Sequence, residues 1–417
     1  MVVVGKGDPN ISGRYYSDPL AVLRIWADSL KSLGIDTLQG TIEVDRFWFP
    51  DPLYPATWAN RFKDQWFAAE ISALAFNDNC ALLRILPGAS PGDSLVVSVQ
   101  PELDFFQIDQ QNAKTVTGKR RRIRYSLDPL VNKITISGTI GVDASPFEAT
   151  IPVRQSQFWF EAAMREALLQ SGIELVPEPA STLLPLWSEL RFTTAPLASI
   201  ISEINSRSHN FYAETLLRLI GAQTEGTASV ANGLQAVYRF LERSKIDSAA
   251  FTLLDGSGLS LGNRVQPRAM NLLLQRMLSH PQFDLWWHSL AWPNSGSRMK
   301  ELAYPYRTRY KTGFVAGVQG LAGYITTALG DTLTVTLYLN DYTSSDSKAR
   351  ELMDELWMRL VDHEDAERKQ LHLARIAFRS ISKEKDLQAK MKQLTSQWIG
   401  TPYSLLGTGE GSQGEVA

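Results

Sequence analysis

The sequence predicts a mixed α/β (α+β) fold with more than one domain, and three observations lead to this prediction. Several segments place apolar residues at helical spacing, residues 50–175 form short strand-like runs separated by Pro, Gly and Asn, and residues 332–339 alternate with a period of two. The length of 417 residues exceeds what one ordinary hydrophobic core supports and suggests two or three domains.

The amino-terminal part, residues 1–49, is predicted to begin a domain that continues much later in the chain. Three valines at 2–4 are typical of the end of a buried strand that runs into a turn. Apolar residues at helical spacing predict a helix over 19–33, ended by Gly34. Residues 41–49 form a β-type run.

The next part, residues 50–175, is interpreted as an inserted β-rich module. Strands are predicted at 80–86, 94–99 and 133–138, and an amphipathic helix that starts near 158 ends before Gly172. The basic cluster at 119–124 has two interpretations, a patch for an anionic ligand or a solvated face, and the solvated face is favoured.

The remaining chain is predicted to return to the first domain over 176–365 and to end in a connector and tail over 366–417. Helical segments and two adjacent strands alternate with turn residues. The predicted helices are 197–205, 211–219, 233–243, 269–278, 348–360 and a charged connector at 368–392, and the predicted strands are 321–327 and 332–339.

Composition excludes several classes of function. The formal net charge of −2 provides no basic stripe for nucleic acid, and no apolar stretch reaches the ~18 residues of a membrane span. The start at Met1 lacks the basic head and the apolar run of a signal peptide. Cys80 is the single cysteine, so the sequence allows no internal disulfide. No cofactor and no metal are expected.

The first motif of chemical interest is Ser208-His209-Asn210, which precedes the helix predicted at 211–219. Ser and Asn are good N-cap residues, so helix capping is the simplest interpretation of this motif on its own.

The second motif runs from Asp255 to Ser260 and reads Asp-Gly-Ser-Gly-Leu-Ser, with Ser257 between the two glycines. Flanking glycines allow a tight turn and a close backbone approach, and a plain turn is the simplest interpretation.

The third motif is Lys311-Thr312-Gly313, just before the predicted strand pair. On an edge strand, a lysine, a hydroxyl and an unobstructed backbone hold a carboxylate-bearing peptide laid alongside. Three residues match by chance often, so this motif also needs support from the others.

Together the motifs are far more specific, because S-x-N followed by K-T-G accompanies S-x-x-K in penicillin-binding proteins and serine β-lactamases. The chain resembles the D-alanyl-D-alanine carboxypeptidase/endopeptidase family, the penicillin-binding protein 4 group or peptidase family S13. The resemblance covers residues 1–360, including the Gly-Lys-Gly-Asp-Pro segment at 5–9. It implies a β-lactamase/transpeptidase-like domain with an antiparallel sheet and helices, interrupted by the β-rich module.

Two departures from the family pattern stand out. His209 occupies a position that is usually Asp in the family, and S-x-x-K, which precedes the segment at 5–9 in the family, is expected to be missing from this chain. Matches to S-x-x-K occur only after S-x-N, the wrong order for this fold, and are interpreted as chance. They begin at Ser297, Ser345, Ser380 and Ser382.

The resemblance also implies roles for individual residues. Ser208 would relay a proton to the leaving amine, Asn210 would orient the substrate amide, and Lys311 would hold the terminal carboxylate. Thr312 would share in that grip, and the backbone after Gly313 would give one oxyanion N–H. Gly313, Asp255 and Ser257 are further candidates for substrate binding. The nucleophilic Ser and basic Lys of the family would be absent, so the chain as written is expected to be inactive.

Two hypotheses about function follow. The first is a serine-type carboxypeptidase/endopeptidase that acts on peptidoglycan stem peptides, binds β-lactams in its complete form and is periplasmic or extracytoplasmic. The second is a non-catalytic peptidoglycan-binding pseudoenzyme. At 398–403 the sequence is similar to the entry segment of NlpC/P60-like cysteine peptidases, and a chance match is the alternative.

Overall fold

The computed structural model describes residues 1–177, 189–293, 307–315, 317–327, 330–361 and 375–376. Two compact units share the chain. The first unit comprises residues 1–195 and 210–233, and the second comprises residues 196–209 and 234–417. The predicted domain boundaries at 49, 175 and 365 stay predictions. The structure groups residues 1–49 and 50–175 in one unit.

The first unit contains helices and short sheets in its described residues. Its helices are α1 (Ala21–Ser32), α2 (Ser156–Gln170) and α4 (Asn210–Glu225). Strands pair in parallel as β1 (Val2–Val4) with β3 (Glu43–Asp45), and as β2 (Thr37–Gln39) with β10 (Glu174–Val176). One three-stranded sheet has the order β5 (Val96–Gln100), β4 (Cys80–Leu86), β9 (Phe147–Pro152), and another has the order β6 (Gln107–Val116), β8 (Lys133–Gly141), β7 (Arg121–Asp128).

The core of this unit forms around α2 and the sheets. Trp159 is fully buried and contacts Phe76, Phe105 and Phe106 at ring-centroid distances of 5.1 to 5.7 Å. The same hydrophobic cluster includes Leu23 of α1, so residues from before and after position 50 share one core.

Several predictions for this unit are confirmed. The helices end before Gly34 and Gly172, which have φ of +82° and +73°, values that glycine adopts without a steric penalty. The three predicted strands are present. Arg121, Arg122 and Arg124 are exposed on β7, and the choice between a solvated face and a patch for an anionic ligand stays a prediction.

Other predictions for this unit are wrong. Val2 and Val4 are exposed because side chains alternate along β1 and it is Val3 that packs against the core. Ile25 and Leu33 are exposed although they fit the helical spacing of α1. Of the β-type run at 41–49, only Glu43–Asp45 forms a strand.

The second unit contains further helices and a four-stranded sheet. Its helices are α3 (Leu197–Arg207), α6 (Pro267–Met277), α7 (Phe283–Ser289) and α8 (Asp346–Val361), whereas α5 (Val230–Arg243) crosses the boundary between the units. Strands β11 (Phe251–Thr252) and β12 (Arg264–Val265) pair with each other. The sheet has the order β13 (Thr308–Val315), β14 (Val318–Thr326), β15 (Thr332–Asn340), β16 (Arg375–Ile376).

The pairing in this sheet confirms the two predicted adjacent strands, because β14 and β15 are antiparallel. Strand β16 pairs in parallel with β15 at Thr334 and Val335, so the helix predicted over 368–392 is wrong at 375–376. The rest of that segment, the tail and the similarity at 398–403 lie outside the described residues.

The inner face of β13 is fixed against α8. Tyr310 is buried and packs on Trp357 with a centroid distance of 6.0 Å, and the Trp357 Nε1–H donates to Thr308 Oγ1 at 2.6 Å. Since side chains alternate along a strand, Arg309 and Lys311 point to the opposite face. That face carries Lys311 of the K-T-G motif, whereas the Thr312 side chain lies on the same face as Tyr310.

Candidate active site

The K-T-G motif lies on an edge strand, as predicted. On one side, Lys311 is paired with Ala322 and Gly313 with Gly320 of β14. On the other side, Ala291 forms an isolated bridge with Tyr310, with N···O distances of 2.9 and 3.0 Å in the two directions. Among the described residues, β13 has no strand partner on this side beyond Tyr310.

The bridge also defines which main-chain groups face the open edge. Tyr310 directs both its N–H and its C=O toward Ala291. Because this direction alternates along an antiparallel strand, the N–H and C=O groups of Thr312 and Phe314 face the same side. The edge therefore presents two pairs of main-chain groups next to Lys311.

Lys311 and Ser208 meet in the structure although they lie 103 residues apart in the sequence. Lys311 Nζ donates to Ser208 Oγ at 2.7 Å and to the carbonyl oxygen of Thr312. Lys311 is half-buried and Ser208 is exposed. Burial lowers the pKa of the Lys311 ammonium to about 8.

The position of Ser208 follows from the end of α3. Ser208 ends this helix in the left-handed conformation, with φ of +58°. Asn205, in the last turn of α3, donates from Nδ2 to Ser289 Oγ of α7 at 2.8 Å. The serine therefore lies at the end of a helix that is anchored to α7. Helix capping alone does not account for the contact of Ser208 with Lys311.

Asn210, the third residue of the S-x-N motif, begins α4 in the first unit. Its side-chain amide donates to the carbonyl oxygen of Phe67 at 2.9 Å. A role for Asn210 in orienting a substrate amide stays a prediction.

Asp255 is buried and organises its own loop. Its carboxylate accepts hydrogen bonds from the N–H groups of Gly258 and Ser260 and from the Asn263 side chain, at 2.7 to 2.9 Å. Ser257 Oγ accepts from Leu259 N at 3.4 Å. These bonds support the turn interpretation of the second motif, and substrate binding by Asp255 and Ser257 stays a prediction.

Replacing Asp255 with alanine is expected to destabilise the protein by about 2–3 kcal/mol, because three donors lose their common acceptor in a buried loop. Ser257→Ala is the control and is expected to change the free energy of unfolding by less than about 0.5 kcal/mol. Thermal melts followed by circular dichroism measure both changes. Equal melts for the two variants would contradict a structural role for Asp255.

Three residues near the motif were not predicted as site residues. The Arg309 guanidinium lies over the rings of Trp287 and Trp292, at 5.4 and 5.7 Å from their centroids. The i, i+2 spacing of Arg309 and Lys311 indicates a shared face, but no sequence pattern indicates that the two tryptophans lie beside this strand.

Of the S-x-x-K matches, only the one that begins at Ser345 lies within the described residues. Ser345 Oγ accepts from the backbone N–H of Lys348 at the start of α8, and the Lys348 side chain is exposed. This arrangement is that of a helix end, which agrees with a chance match. The matches that begin at Ser297, Ser380 and Ser382 lie outside the described residues.

Comparison with solved structures defines the class of fold. Penicillin-binding protein 4 (dacB) of Haemophilus influenzae superposes with a TM-score of 0.68 over 87% of this chain and 82% of that protein, at 20% identity. The same protein in complex with a β-lactam gives a TM-score of 0.61 at 19% identity. The fold is therefore that of penicillin-binding proteins, and the predicted fold class is confirmed.

The family follows from the sequence comparison. The model of the D-Ala-D-Ala carboxypeptidase 3 (S13) family matches residues 1–360, and this chain belongs to that family. The D-alanyl-D-alanine carboxypeptidase of Actinomadura sp. (strain R39) is 26% identical over 347 residues. The D-alanyl-D-alanine carboxypeptidase DacB of Haemophilus influenzae is 24% identical over 365 residues.

The matched regions differ in how much of each protein they cover. The match covers 78% of this chain and 63% of the Actinomadura protein, and 84% of this chain and 74% of the Haemophilus protein. The chain thus spans less than two thirds of the length of the first relative. Within the described ranges, no helix combines the length and apolar character needed to cross a membrane.

Proposed function

We propose that this chain forms part of a serine-type D-Ala-D-Ala carboxypeptidase/endopeptidase that acts on peptidoglycan stem peptides. The observation that carries the proposal is the 2.7 Å contact between Lys311 Nζ and Ser208 Oγ beside the open edge of β13. Two motifs that are distant in the sequence meet where an extended peptide can add to the sheet. Membership of the family and the names of the relatives support the same activity.

The proposed substrate binds as an additional strand. Its main chain pairs with the groups of Thr312 and Phe314 at the open edge, and its terminal carboxylate lies at Lys311. The ammonium of Lys311 holds that carboxylate by charge-assisted hydrogen bonds. The open edge provides affinity for the backbone, and Lys311 selects a free carboxyl terminus.

The proposed chemistry is acyl transfer to a serine. The serine oxygen forms an ester with the substrate carbonyl, the amide bond breaks, the amine leaves with a proton, and water then hydrolyses the ester. Ser208 is suited to pass that proton, because its hydroxyl is exposed and hydrogen-bonded to an ammonium group. The amide N–H of Phe314 at the open edge is a candidate oxyanion donor.

The proposed substrate and inhibitor favour a location outside the cytoplasm, in the periplasm or an equivalent compartment. Peptidoglycan stem peptides are the substrate, and β-lactams react with the same serine in the complete protein. The nucleophile of the family belongs to S-x-x-K. Hydrolysis of N-acetyl-D-Ala-D-Ala is therefore assayed with a form of the protein that includes an S-x-x-K segment.

Calorimetry on residues 1–417 tests directly whether the site binds the terminal carboxylate of a ligand. N-acetyl-D-Ala-D-Ala is expected to bind more tightly than its carboxyl-terminal amide, by about tenfold or more for one charge-assisted contact. The L,L isomer is the stereochemical control. Equal affinities of the acid and the amide would contradict the proposed role of the K-T-G strand.

The affinity for N-acetyl-D-Ala-D-Ala is expected to decrease as the pH rises above about 8, the lowered pKa of Lys311. Only the protonated ammonium attracts the carboxylate, so above this pKa binding must take up a proton, and affinity decreases by up to about tenfold per pH unit. Lys311→Arg is expected to flatten the profile, because a guanidinium stays charged over this range. A wild-type profile that is flat from pH 7 to 10 would contradict the prediction.

A further inference from the structure

Arg309 lies two residues before Lys311 on the same face of β13. Its guanidinium is stacked against Trp287 and Trp292, and its Nη1 donates to the Thr308 carbonyl oxygen at 2.9 Å. Trp287 is itself held by ring contacts with Phe283 and Tyr324, at centroid distances of 5.8 and 5.7 Å. The guanidinium is therefore fixed by a preformed aromatic wall.

Within the part of the chain that the structure describes, no acidic group matches the charge of Arg309. Its Nε is buried and has no hydrogen-bond partner, and no carboxylate among the described residues forms an ion pair with it. Burial lowers the pKa of Arg309 from its usual value, as expected for a desolvated cation. A half-buried guanidinium that lacks an acidic partner is suited to bind a carboxylate from a ligand.

The bridge between Ala291 and Tyr310 decides which part of a ligand reaches Arg309. It occupies the edge of β13 at residue 310, so a peptide that adds to the edge pairs only with residues 312–315. With its terminal carboxylate at Lys311, that peptide runs toward Val315. Any group attached to the terminal residue extends the other way, toward Arg309 and Trp292.

We propose that Arg309, between Trp287 and Trp292, forms a leaving-group subsite that binds a second carboxylate on the residue released by cleavage. The inference rests on the proposed function and specifies its substrate class. Preferred leaving groups are acidic amino acids, or peptides that begin with one, rather than alanine alone. The Cα atoms of Arg309 and Lys311 are about 6.6 Å apart, two residues along a strand, which suits two carboxylates on one residue.

The test compares three ligands on the wild-type chain of residues 1–417. N-acetyl-D-Ala-D-Glu carries the second carboxylate, N-acetyl-D-Ala-D-Gln is its neutral isostere, and N-acetyl-D-Ala-D-Ala reports on the Lys311 contact alone. Calorimetry is expected to show the D-Glu ligand binding about tenfold more tightly than the D-Gln ligand, the effect of one charge-assisted hydrogen bond. Equal affinities of the D-Glu and D-Gln ligands for the wild-type chain would by themselves overturn the inference.

Single substitutions distinguish the contact of Arg309 with the second carboxylate from the contact of Lys311 with the terminal carboxylate. Arg309→Gln is expected to bring the D-Glu to D-Gln ratio close to one, and Arg309→Lys is expected to keep part of it. Lys311→Ala is expected to weaken all three ligands while preserving the ratio. If Arg309 only supports the packing of the tryptophans, Arg309→Gln lowers the melting temperature and leaves the ratio unchanged, which overturns the subsite.

The same measurements distinguish failure of the subsite from failure of the proposed function. Binding of N-acetyl-D-Ala-D-Ala that depends on Lys311, together with a ratio of one, removes only the subsite. No binding of any of the three ligands removes the proposed function and the inference with it.

Discussion

Replacing Lys311 with alanine is expected to weaken the binding of N-acetyl-D-Ala-D-Ala roughly ten- to hundredfold. The variant removes a charge-assisted contact of ~1.5–3 kcal/mol with the terminal carboxylate, which corresponds to that range of dissociation constants. Calorimetry on residues 1–417 measures the loss. Where hydrolysis is measured, kcat/KM is expected to decrease by a similar factor.

Lys348→Ala is the matched control for this experiment. Lys348 lies in the same unit, but its side chain is exposed at the start of α8. Its removal is expected to leave binding unchanged. An equal, small effect of both variants would mean that Lys311 has no role in holding the ligand.

Replacing Arg218 with methionine is expected to cause the largest loss of stability, about 3–5 kcal/mol, because it leaves a buried carboxylate without its partner. Arg218 and Glu214 are almost fully buried on α4, and Arg218 Nη1 lies 2.9 Å from Glu214 Oε2. Arg218 Nε also lies 3.2 Å from Asp51 Oδ2. The melting temperature is expected to decrease by roughly 10 °C.

Two further variants test whether the loss of stability comes from the buried carboxylate that is left without its partner. Arg359→Ala breaks an exposed pair with Glu355 at the same i, i+4 spacing and is expected to cost only about 0.3–0.5 kcal/mol. The double variant Arg218→Met, Glu214→Leu removes both charges and is expected to recover much of the stability. A melting temperature for Arg218→Met equal to that for Arg359→Ala would contradict the prediction.

Much of the second unit could be predicted from the sequence, because its patterns are local. The alternation at 332–339 predicts a strand, although in the structure Thr334 and Thr336 are buried as well as the apolar residues. K-T-G precedes a strand pair, so its place on an edge strand follows. By contrast, β6 (Gln107–Val116) was missed because mostly polar, exposed residues give no periodic apolar signal. Similarly, Val2 and Val4 are apolar, but only tertiary pairing decides whether they are covered.

The candidate site, too, could be predicted from the sequence only in part. The sequence identified Lys311 and Ser208, and the structure adds that their side chains are in contact. The internal hydrogen bonds of Asp255 and the aromatic surroundings of Arg309 depend on contacts between distant segments. Motif spacing contains no information about such contacts, so these features required the structure.

The contact between β13 and α8 has a consequence for how the site is assembled. Shifting a strand by one residue exchanges its two faces. Such a shift would place the Lys311 ammonium in the apolar layer under the sheet and expose Tyr310 to solvent. The Trp357 indole, bonded to Thr308 and packed on Tyr310, disfavours the shifted pairing. A tryptophan outside the K-T-G motif thus determines which face of the sheet carries the positive charge.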